Sequence, residues 1–225
     1  MATDYPVIFD VQRPEKFDRA QLFLRLVVAI IAYAVLSLIG WAIYLVFPAF
    51  AAVQASNKGG EKYLEEDGER VAGWLRWLMA VSAYLYLVID KFPSEKPEEF
   101  VRFEVRTSGS PTVGSALLRL IYSIPSYFVL SILGIVSFVI LIIAVISVLI
   151  NETYSEGLYN FQRGVLRWQA RLLGYHASLV DQYPPFALDT APEGEPGAPA
   201  PTPTPSAPPP DAPPPPAESG PESQA

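Results

Sequence analysis

Two long apolar stretches dominate the pattern of hydrophobic and polar positions along the chain. Residues 22–50 contain one charged residue, Arg25, and residues 116–150 contain one, Arg119. A helix needs about 20 predominantly apolar residues to cross a hydrocarbon core roughly 30 Å thick. The pattern therefore predicts a transmembrane helix in each stretch, and a soluble domain of this length would rarely contain two.

Two short segments alternate apolar and polar residues, which is the pattern of a half-buried β-strand. They are residues 7–11 and residues 101–106. We expect the two strands to pair with each other. Their pairing would bury Phe9 and Phe103 against the neighbouring ends of helices.

The chain contains an internal repeat, because similar residues recur in the same order at two nearly equal separations. At a separation of 94 positions, residues 7–11 match 101–105 and Arg25 matches Arg119. At a separation of 91 positions, residues 73–77 match 164–168, Tyr84 matches Tyr175 and Asp90 matches Asp181. A length change of three residues between the helices of one unit reconciles the two separations. Self-similarity of this kind indicates a duplicated structural unit.

The repeat predicts a mainly α-helical integral membrane protein with a small two-stranded pairing on the cytoplasmic side. The first unit, residues 1–95, comprises strand 7–11, helix 20–50, a polar loop over 51–70 and helix 69–90. The second unit, residues 96–189, comprises strand 101–106, helix 115–150, a short loop near 151–157 and helix 157–181. Residues 190–225 are rich in proline and acidic residues, and such a segment cannot bury enough apolar surface to fold. We expect it to be a disordered tail.

The last predicted helix carries Arg163, Arg167 and Arg171 at intervals of four residues. Residues four apart lie on one face of a helix, so these arginines form a basic stripe. An arginine near the middle of a span costs about 2.5–3.5 kcal/mol on insertion, whereas a leucine or valine recovers only about 0.3–0.6 kcal/mol. Either the helix lies in the interface with its arginines among lipid phosphates, or it spans with the stripe turned toward protein or water.

The distribution of basic residues predicts the orientation. The N-terminal segment and the 90–115 connection hold seven lysines and arginines, whereas residues 51–70 hold three and residues 151–157 none. Cytoplasmic loops carry an excess of basic residues, so we expect a multi-pass protein of the cell membrane with its N-terminus in the cytoplasm. The tail is cytoplasmic if the last helix spans, and external if that helix stays on the far face.

Four groups of residues carry a resemblance to a known family: Tyr5-Pro6-Val7, residues 164–169 (Gly-Val-Leu-Arg-Trp-Gln), Tyr175 and residues 181–186 (Asp-Gln-Tyr-Pro-Pro-Phe). Through them the sequence resembles a bacterial membrane family, domain of unknown function 4389, over residues 5–188. The resemblance implies a membrane location, which we expect to be the bacterial inner membrane. It implies no activity and no catalytic residue.

The charged residues shared by both units are candidate site residues. Arg25 with Asp90, and Arg119 with Asp181, are predicted to form structural ion pairs, with a proton or ion path as the alternative. The stripe on the last helix is predicted either to contact anionic lipid or an acidic partner, or to place the helix by snorkelling. A face of small residues on the second helix predicts helix packing; it comprises Ala72, Arg76, Ala80 and Ala83. The predicted interfacial anchors are Trp74, Trp77, Trp168, Tyr175 and Tyr183.

Composition narrows the functional classes. The chain has no cysteine and one histidine, and its net charge of −7 argues against binding nucleic acid. No nucleotide-binding, hydrolase or metalloprotease motif occurs, so we expect no enzymatic activity, cofactor or metal. The remaining hypotheses are a membrane scaffold or accessory subunit and, as the alternative, a small oligomeric transporter or channel. Its partners would be membrane lipids, further copies or a membrane complex, and a protein bound through the tail.

Overall fold

A computed structural model describes residues 5–94 and 96–188, without the side chains of residues 32–43. The elements are β1 (Val7–Val11), α1 (Arg19–Lys58), α2 (Gly60–Leu85), a 3-10 turn (Pro97–Glu99), β2 (Val101–Val105), α3 (Val113–Tyr122), α4 (Ile124–Asn151) and α5 (Glu156–His176). The mainly helical fold with one two-stranded sheet is therefore as predicted. The disorder predicted for residues 190–225 lies outside the described residues.

The sheet is antiparallel, and the alternation of the sequence decides which face is buried. Phe9 lies opposite Phe103, and both side chains are 2% exposed. Asp10 lies opposite Arg102 on the outer face, where Arg102 donates to Glu104 across 2.9 Å. The predicted pairing of the two strands is confirmed. Because neighbouring positions of a strand point to opposite faces, this register puts Val7, Phe9 and Val11 on the inner face and leaves Ile8 on the outer face, opposite Glu104.

The predicted loop over residues 51–70 is wrong, because the chain there is helical except at Gly59. The stretch is polar, but nine of its twenty residues are alanine, glutamate or lysine, which favour helix. The polar residues of this stretch lie on the exposed surface of helices and do not interrupt the helical structure. Gly59 has φ +88°, and a Cβ on Gly60 would lie 2.2 Å from the carbonyl oxygen of Pro111. A tight turn between α1 and α2 therefore replaces the loop.

The predicted bounds of the other helices also need correction. Predicted helix 115–150 is divided at Ser123 into α3 and α4, where Pro125 lacks the N–H that a continuous helix would use. The helices predicted to end at 90 and 181 end at Leu85 and His176. Shortly after each end the backbone turns through a left-handed residue, Leu87 and Ser178. Non-glycine residues seldom adopt this conformation, which is why the sequence did not indicate the turns.

The elements pack in layers. β1 packs on α5 and β2 on α2, and these two helices contact each other. α2 also packs on α1, and α5 on α4, while α1 packs on α3. The middle layer of α2 and α5 therefore separates the sheet from the long apolar helices.

A large apolar surface lies on the long helices. Its most exposed members include Phe23 on α1 and Phe128, Ile135 and Ile150 on α4, each about two-thirds exposed. Among the described residues one helical segment, Val113–Asn151, is long and apolar enough to cross a membrane. This finding concerns length and composition, and it is weak evidence for a membrane location. The other predicted spans and the cytoplasmic N-terminus stay predictions.

Candidate functional site

The first arginine-centred cluster joins the start of α1 to the turn after α2. Arg25 is 5% exposed, and its Nη2 donates to the carbonyl oxygens of Ile89 at 2.8 Å and Asp90 at 3.1 Å. Its guanidinium carbon lies 4.3 Å from the centre of the Tyr84 ring, a cation–π contact. The Asp90 carboxylate instead accepts the backbone N–H of Asp18, the N-cap residue of α1. Arg25 and Asp90 thus meet through the backbone carbonyl of Asp90.

The environment of Asp90 perturbs its titration. Burial raises the pKa of this carboxyl above its ordinary value, and the N–H of Asp18 and the charge of Arg25 oppose that shift. A desolvated carboxylate is costly unless paired. The folded protein therefore favours the protonated form of Asp90 more than the unfolded chain does.

The second cluster joins α3 to the turn after α5. Arg119 is 4% exposed, and its Nη1 donates to the carbonyl oxygens of Tyr175 and Val180. Its Nη2 donates to the Asp181 carboxylate, which forms an ion pair with it. The guanidinium carbon lies 4.6 Å from the centre of the Tyr175 ring. The structure brings this predicted pair together directly, unlike Arg25 and Asp90.

The basic stripe of α5 is buried against the sheet. Arg163, Arg167 and Arg171 are 7%, 1% and 6% exposed. Arg167 donates through Nε to the carbonyl oxygen of Phe9 at 3.2 Å and through Nη2 to the Asp10 carboxylate at 2.7 Å. The sequence predicts the stripe, but it could not show that a strand 158 positions away covers it.

The two neighbours of Arg167 on the stripe are also engaged within the chain. Arg163 donates to Asn160 at 3.0 Å and lies 3.9 Å from the Asp10 carboxylate. The guanidinium carbon of Arg171 lies 6.0 Å from the centre of the Tyr5 ring. In this arrangement the basic face points toward β1 and the residues before it, so the predicted contact with lipid or a partner stays a prediction.

Arg76 of α2 contacts β2 as Arg167 contacts β1. Its Nε and Nη2 each lie 3.3 Å from the carbonyl oxygen of Phe103, to which both donate. The alanines predicted to share its face, Ala72, Ala80 and Ala83, are buried. α2 therefore uses small residues for close packing and an arginine to hold the strand.

The predicted aromatic anchors separate into two groups. Trp74 and Trp77 are about half exposed, as expected for residues at an interface. Trp168 and Tyr175 are buried and pack edge-on against Phe186 and Tyr183, with ring centres 5.6 and 5.2 Å apart. The second group belongs to the interior of the protein.

His176 is a buried residue that we expect from the sequence to be a packing or interfacial histidine and not a metal ligand. Its Nε2 lies 2.6 Å from the carbonyl oxygen of Tyr44, and its Nδ1 lies 3.1 Å from Ser123 Oγ. A carbonyl oxygen can only accept, so Nε2 carries the proton and Nδ1 accepts from the serine hydroxyl. Burial lowers the pKa of His176. The ring is therefore a neutral link between α5 and the long helices.

Sequence reasoning also missed two buried tyrosines. Tyr63 donates to the carbonyl oxygen of Ala177, and Tyr154 to that of Leu87, each at 2.7 Å. The two tyrosines are themselves 91 positions apart. The same separation relates the residues that predict a repeat, so it could have found these tyrosines.

Two cavities adjoin these clusters. One, of about 290 Å³, lies between the start of α1 and the ends of α2 and α4. The other, of about 340 Å³, has Tyr44, Ser82, Ser131 and Gln169 among its lining residues. Within the described ranges, no group of three or more histidine, aspartate or glutamate residues could hold a metal ion.

The comparisons with known proteins concern the half of the chain that carries Arg119 and α5. Residues 114–187 match the domain of unknown function DUF4389. The DUF4389 segment contains α4, α5 and all of α3 except its first residue, together with the Arg119 cluster. The match bears out the predicted resemblance over residues 114–187, a shorter range than the predicted 5–188, and the bacterial membrane location stays a prediction. No curated protein and no solved structure matches the chain.

Proposed function

We propose that this chain is a membrane-embedded scaffold or accessory protein. The observation that carries the proposal is the exposed apolar surface of α1, α3 and α4. Monomeric soluble proteins rarely expose contiguous apolar patches beyond a few hundred Å², and burying one large apolar side chain gains about 1.5–3 kcal/mol. Lipid around these helices would provide that burial, while the charged start of α2 would stay in water.

We further infer that the two halves are tandem copies of one strand, long helix, short helix unit. The paired contacts support this. Leu87 and Ser178 have φ of +59° and +58°, and they are 91 positions apart. Asp18 is the N-cap of α1 and Thr112 is the N-cap of α3, and the two residues are 94 positions apart. In each half the strand lies on the helix of the other half, so the copies would be interlocked about an approximate twofold relation.

The membrane arrangement in this proposal has α1 and the α3–α4 segment as spans, with the N-terminus in the cytoplasm of a bacterial inner membrane. Lys16 and Arg19, just before and at the start of α1, support this orientation. Single cysteines placed near positions 12 and 59 of the cysteine-free chain test it with a membrane-impermeant thiol reagent. Labelling of position 12 from outside intact cells would reverse the orientation.

Partners would bind to the polar surface and the tail. The start of α2 exposes Glu61, Glu65 and Glu69, and residues 190–225 supply an acidic, proline-rich segment. Co-purification from membranes with the full chain, and with a chain ending at residue 189, tests the recruiting role. The same set of co-purifying proteins with both chains would remove the tail from the proposal.

Membrane integration is tested by fractionation. The full chain should remain in the pellet when membranes are washed with alkaline carbonate, and detergent should release it. Release by carbonate alone, as a folded monomer, would contradict the proposal.

One observation favours the alternative of an oligomeric transporter or channel. The 340 Å³ cavity lies where α1, α2, α4 and α5 meet, and hydroxyl and amide groups contribute to its lining. Polar groups at such a position are typical of substrate sites in membrane proteins. Purified protein in liposomes, tested for solute flux beside liposomes containing a Gln169→Leu variant, distinguishes the two functions. Flux that the variant abolishes would favour transport.

A further inference from the structure

The 290 Å³ cavity has an unusual lining for a protein interior. Among the described residues that line it, Arg25 alone is charged and the others are aliphatic or aromatic, including Leu22, Leu85 and Val145. Cavities lined only by apolar groups stay dry, and one of about 150 Å³ holds a benzene molecule. This cavity is nearly twice that size, which is enough for a segment of one acyl chain.

Arg25 lies against the Tyr84 ring, but two of its nitrogens form no close hydrogen bond with the described residues. Its Nη2 donates to two carbonyl oxygens, whereas Nε and Nη1 are buried without a partner among the described residues. The side chain is 95% buried, since 5% of its surface is exposed. A buried guanidinium donor without an acceptor is costly in apolar surroundings. An acceptor from outside the chain would remove that cost.

Arg119, which lies 94 positions after Arg25, has an anionic acceptor that Arg25 lacks. Arg119 reaches two carbonyl oxygens and also the carboxylate of Asp181. At the Arg25 cluster the Asp90 carboxylate accepts the N–H of Asp18. Arg25 therefore lacks the anionic acceptor that Arg119 has, although both arginines lie beside an aspartate.

The cavity opens on the apolar surface close to one end of the long helices. Phe23, Leu26 and Leu149 line it and are 71%, 60% and 47% exposed. Just beyond them, Lys16 and Arg19 form exposed ion pairs with Glu152 at 3.6 Å. Arg25 lies seven residues into the chain after Asp18, or about 10 Å along the helix axis. This depth is near the boundary between hydrocarbon and head groups if α1 spans.

We propose that this cavity binds an anionic phospholipid, with one acyl chain among the apolar residues and the phosphate accepting from Arg25. Arginine is well suited to this role because its donors form strong charge-assisted bonds with phosphate. The proposal rests on the membrane location given under the proposed function. It assigns lipid binding to α1 and not to the arginine stripe of α5.

The test uses the full chain purified in detergent from the membrane fraction. It is incubated with phosphatidylglycerol or phosphatidylcholine carrying a photoreactive acyl chain, and labelled peptides are mapped by mass spectrometry. We expect labelling within residues 22–29 and 141–149, about tenfold stronger with phosphatidylglycerol. Equal labelling by the two lipids, or labels only on other helices, would overturn the site. Failure to reach the membrane fraction would instead overturn the proposed function.

Three variants test whether Arg25 and the cavity determine the binding of the anionic lipid. Arg25→Gln should reduce the preference for the anionic lipid to about one, while Arg19→Gln, which changes a half-exposed arginine at the same end, should leave it unchanged. Val145→Phe fills the cavity and keeps Arg25, so it should abolish labelling by both lipids. If Arg25→Gln does not fold, Val145→Phe decides: undiminished labelling in that variant would exclude the cavity.

Discussion

At the scale of single residues, buried arginines connect separate elements of the fold through hydrogen bonds. Arg25, Arg119 and Arg167 each donate to backbone carbonyl oxygens at the ends of helices or along a strand. Hydrogen bonds to a charged group contribute about 1.5–3 kcal/mol, and a buried partner left unsatisfied costs a similar amount. These side chains therefore hold separate elements together, which apolar packing alone would not align.

Arg167→Gln should lower the free energy of unfolding by about 2–3 kcal/mol, because it removes the bonds to Phe9 and Asp10. Arg76→Gln is the matched control. Its side chain is 25% exposed and its bonds to Phe103 are longer, so we expect a smaller loss. Thermal unfolding in detergent measures both. Equal effects of the two changes would contradict the role assigned to Arg167.

Asp90→Asn should stabilise the protein at neutral pH. The folded pKa of Asp90 lies above its ordinary value, mainly through burial, so ionisation costs more in the folded state than in the unfolded one. The free energy of unfolding of the natural chain therefore falls as pH rises from about 3.9 through the folded pKa. The amide keeps an oxygen for the N–H of Asp18 and does not ionise.

Unfolding at pH 4 and pH 7 tests this expectation. The gain from Asp90→Asn should appear at pH 7 and be much smaller at pH 4. Asp181→Asn, which removes the ion pair with Arg119, should destabilise at pH 7 by about 1 kcal/mol. Loss of stability in both variants at pH 7 would show that Asp90 is paired in the same way as Asp181.

At the scale of elements, the turn between α1 and α2 is set by two adjacent glycines. Gly59 adopts a positive φ, and Gly60 allows the backbone of Pro111 to approach. The N-cap of α3, Thr112, follows Pro111 directly. The glycine pair therefore connects the first helical hairpin to the start of the second long helix.

Gly60→Ala should destabilise the protein, whereas Gly73→Ala should not. A Cβ at position 60 would meet backbone atoms of Ser110 and Pro111, while a Cβ at position 73 has no atom within 4 Å. Alanine within a helix is favoured over glycine by about 0.5–1 kcal/mol, so we expect Gly73→Ala to raise the thermal midpoint. A lower midpoint in both variants would argue against this packing.

The sequence predicted the types of the elements better than their ends. Alternation over residues 7–11 and 101–105 was sufficient for the strands and their pairing, because a strand with one buried face has a period of two. The polar stretch 51–70 misled, because charged residues on an exposed helix resemble those of a loop. The site was only partly predictable. The matched positions of Arg119 and Asp181 are visible in the sequence. The hydrogen bond from the Asp18 N–H to the Asp90 carboxylate is not, because it depends on how α1 packs against the turn after α2.

At the scale of the whole molecule, each strand is held by the opposite half. Arg167 binds β1 and Arg76 binds β2, while Tyr63 and Tyr154 also reach across. The inner face of each strand is therefore covered by a helix of the other half. Neither half has a complete set of contacts by itself.

Separate expression of residues 1–95 and 96–188 should give two protease-sensitive fragments, and co-expression should restore resistance. The reason is that β1 needs α5, and β2 needs α2, to cover its apolar side. Limited proteolysis of membranes provides the measurement. A resistant fragment formed by either half alone would contradict this interdependence.

The pairing of β1 with α5 has a consequence for biosynthesis. Phe9 leaves the ribosome long before Arg167, which is 158 residues later. At roughly 5–20 residues per second, the first strand waits on the order of ten to thirty seconds for its helix. Until then its backbone donors and acceptors are an open template for other nascent chains. A chaperone that shields this N-terminal segment during translation would therefore raise the yield of correctly assembled protein.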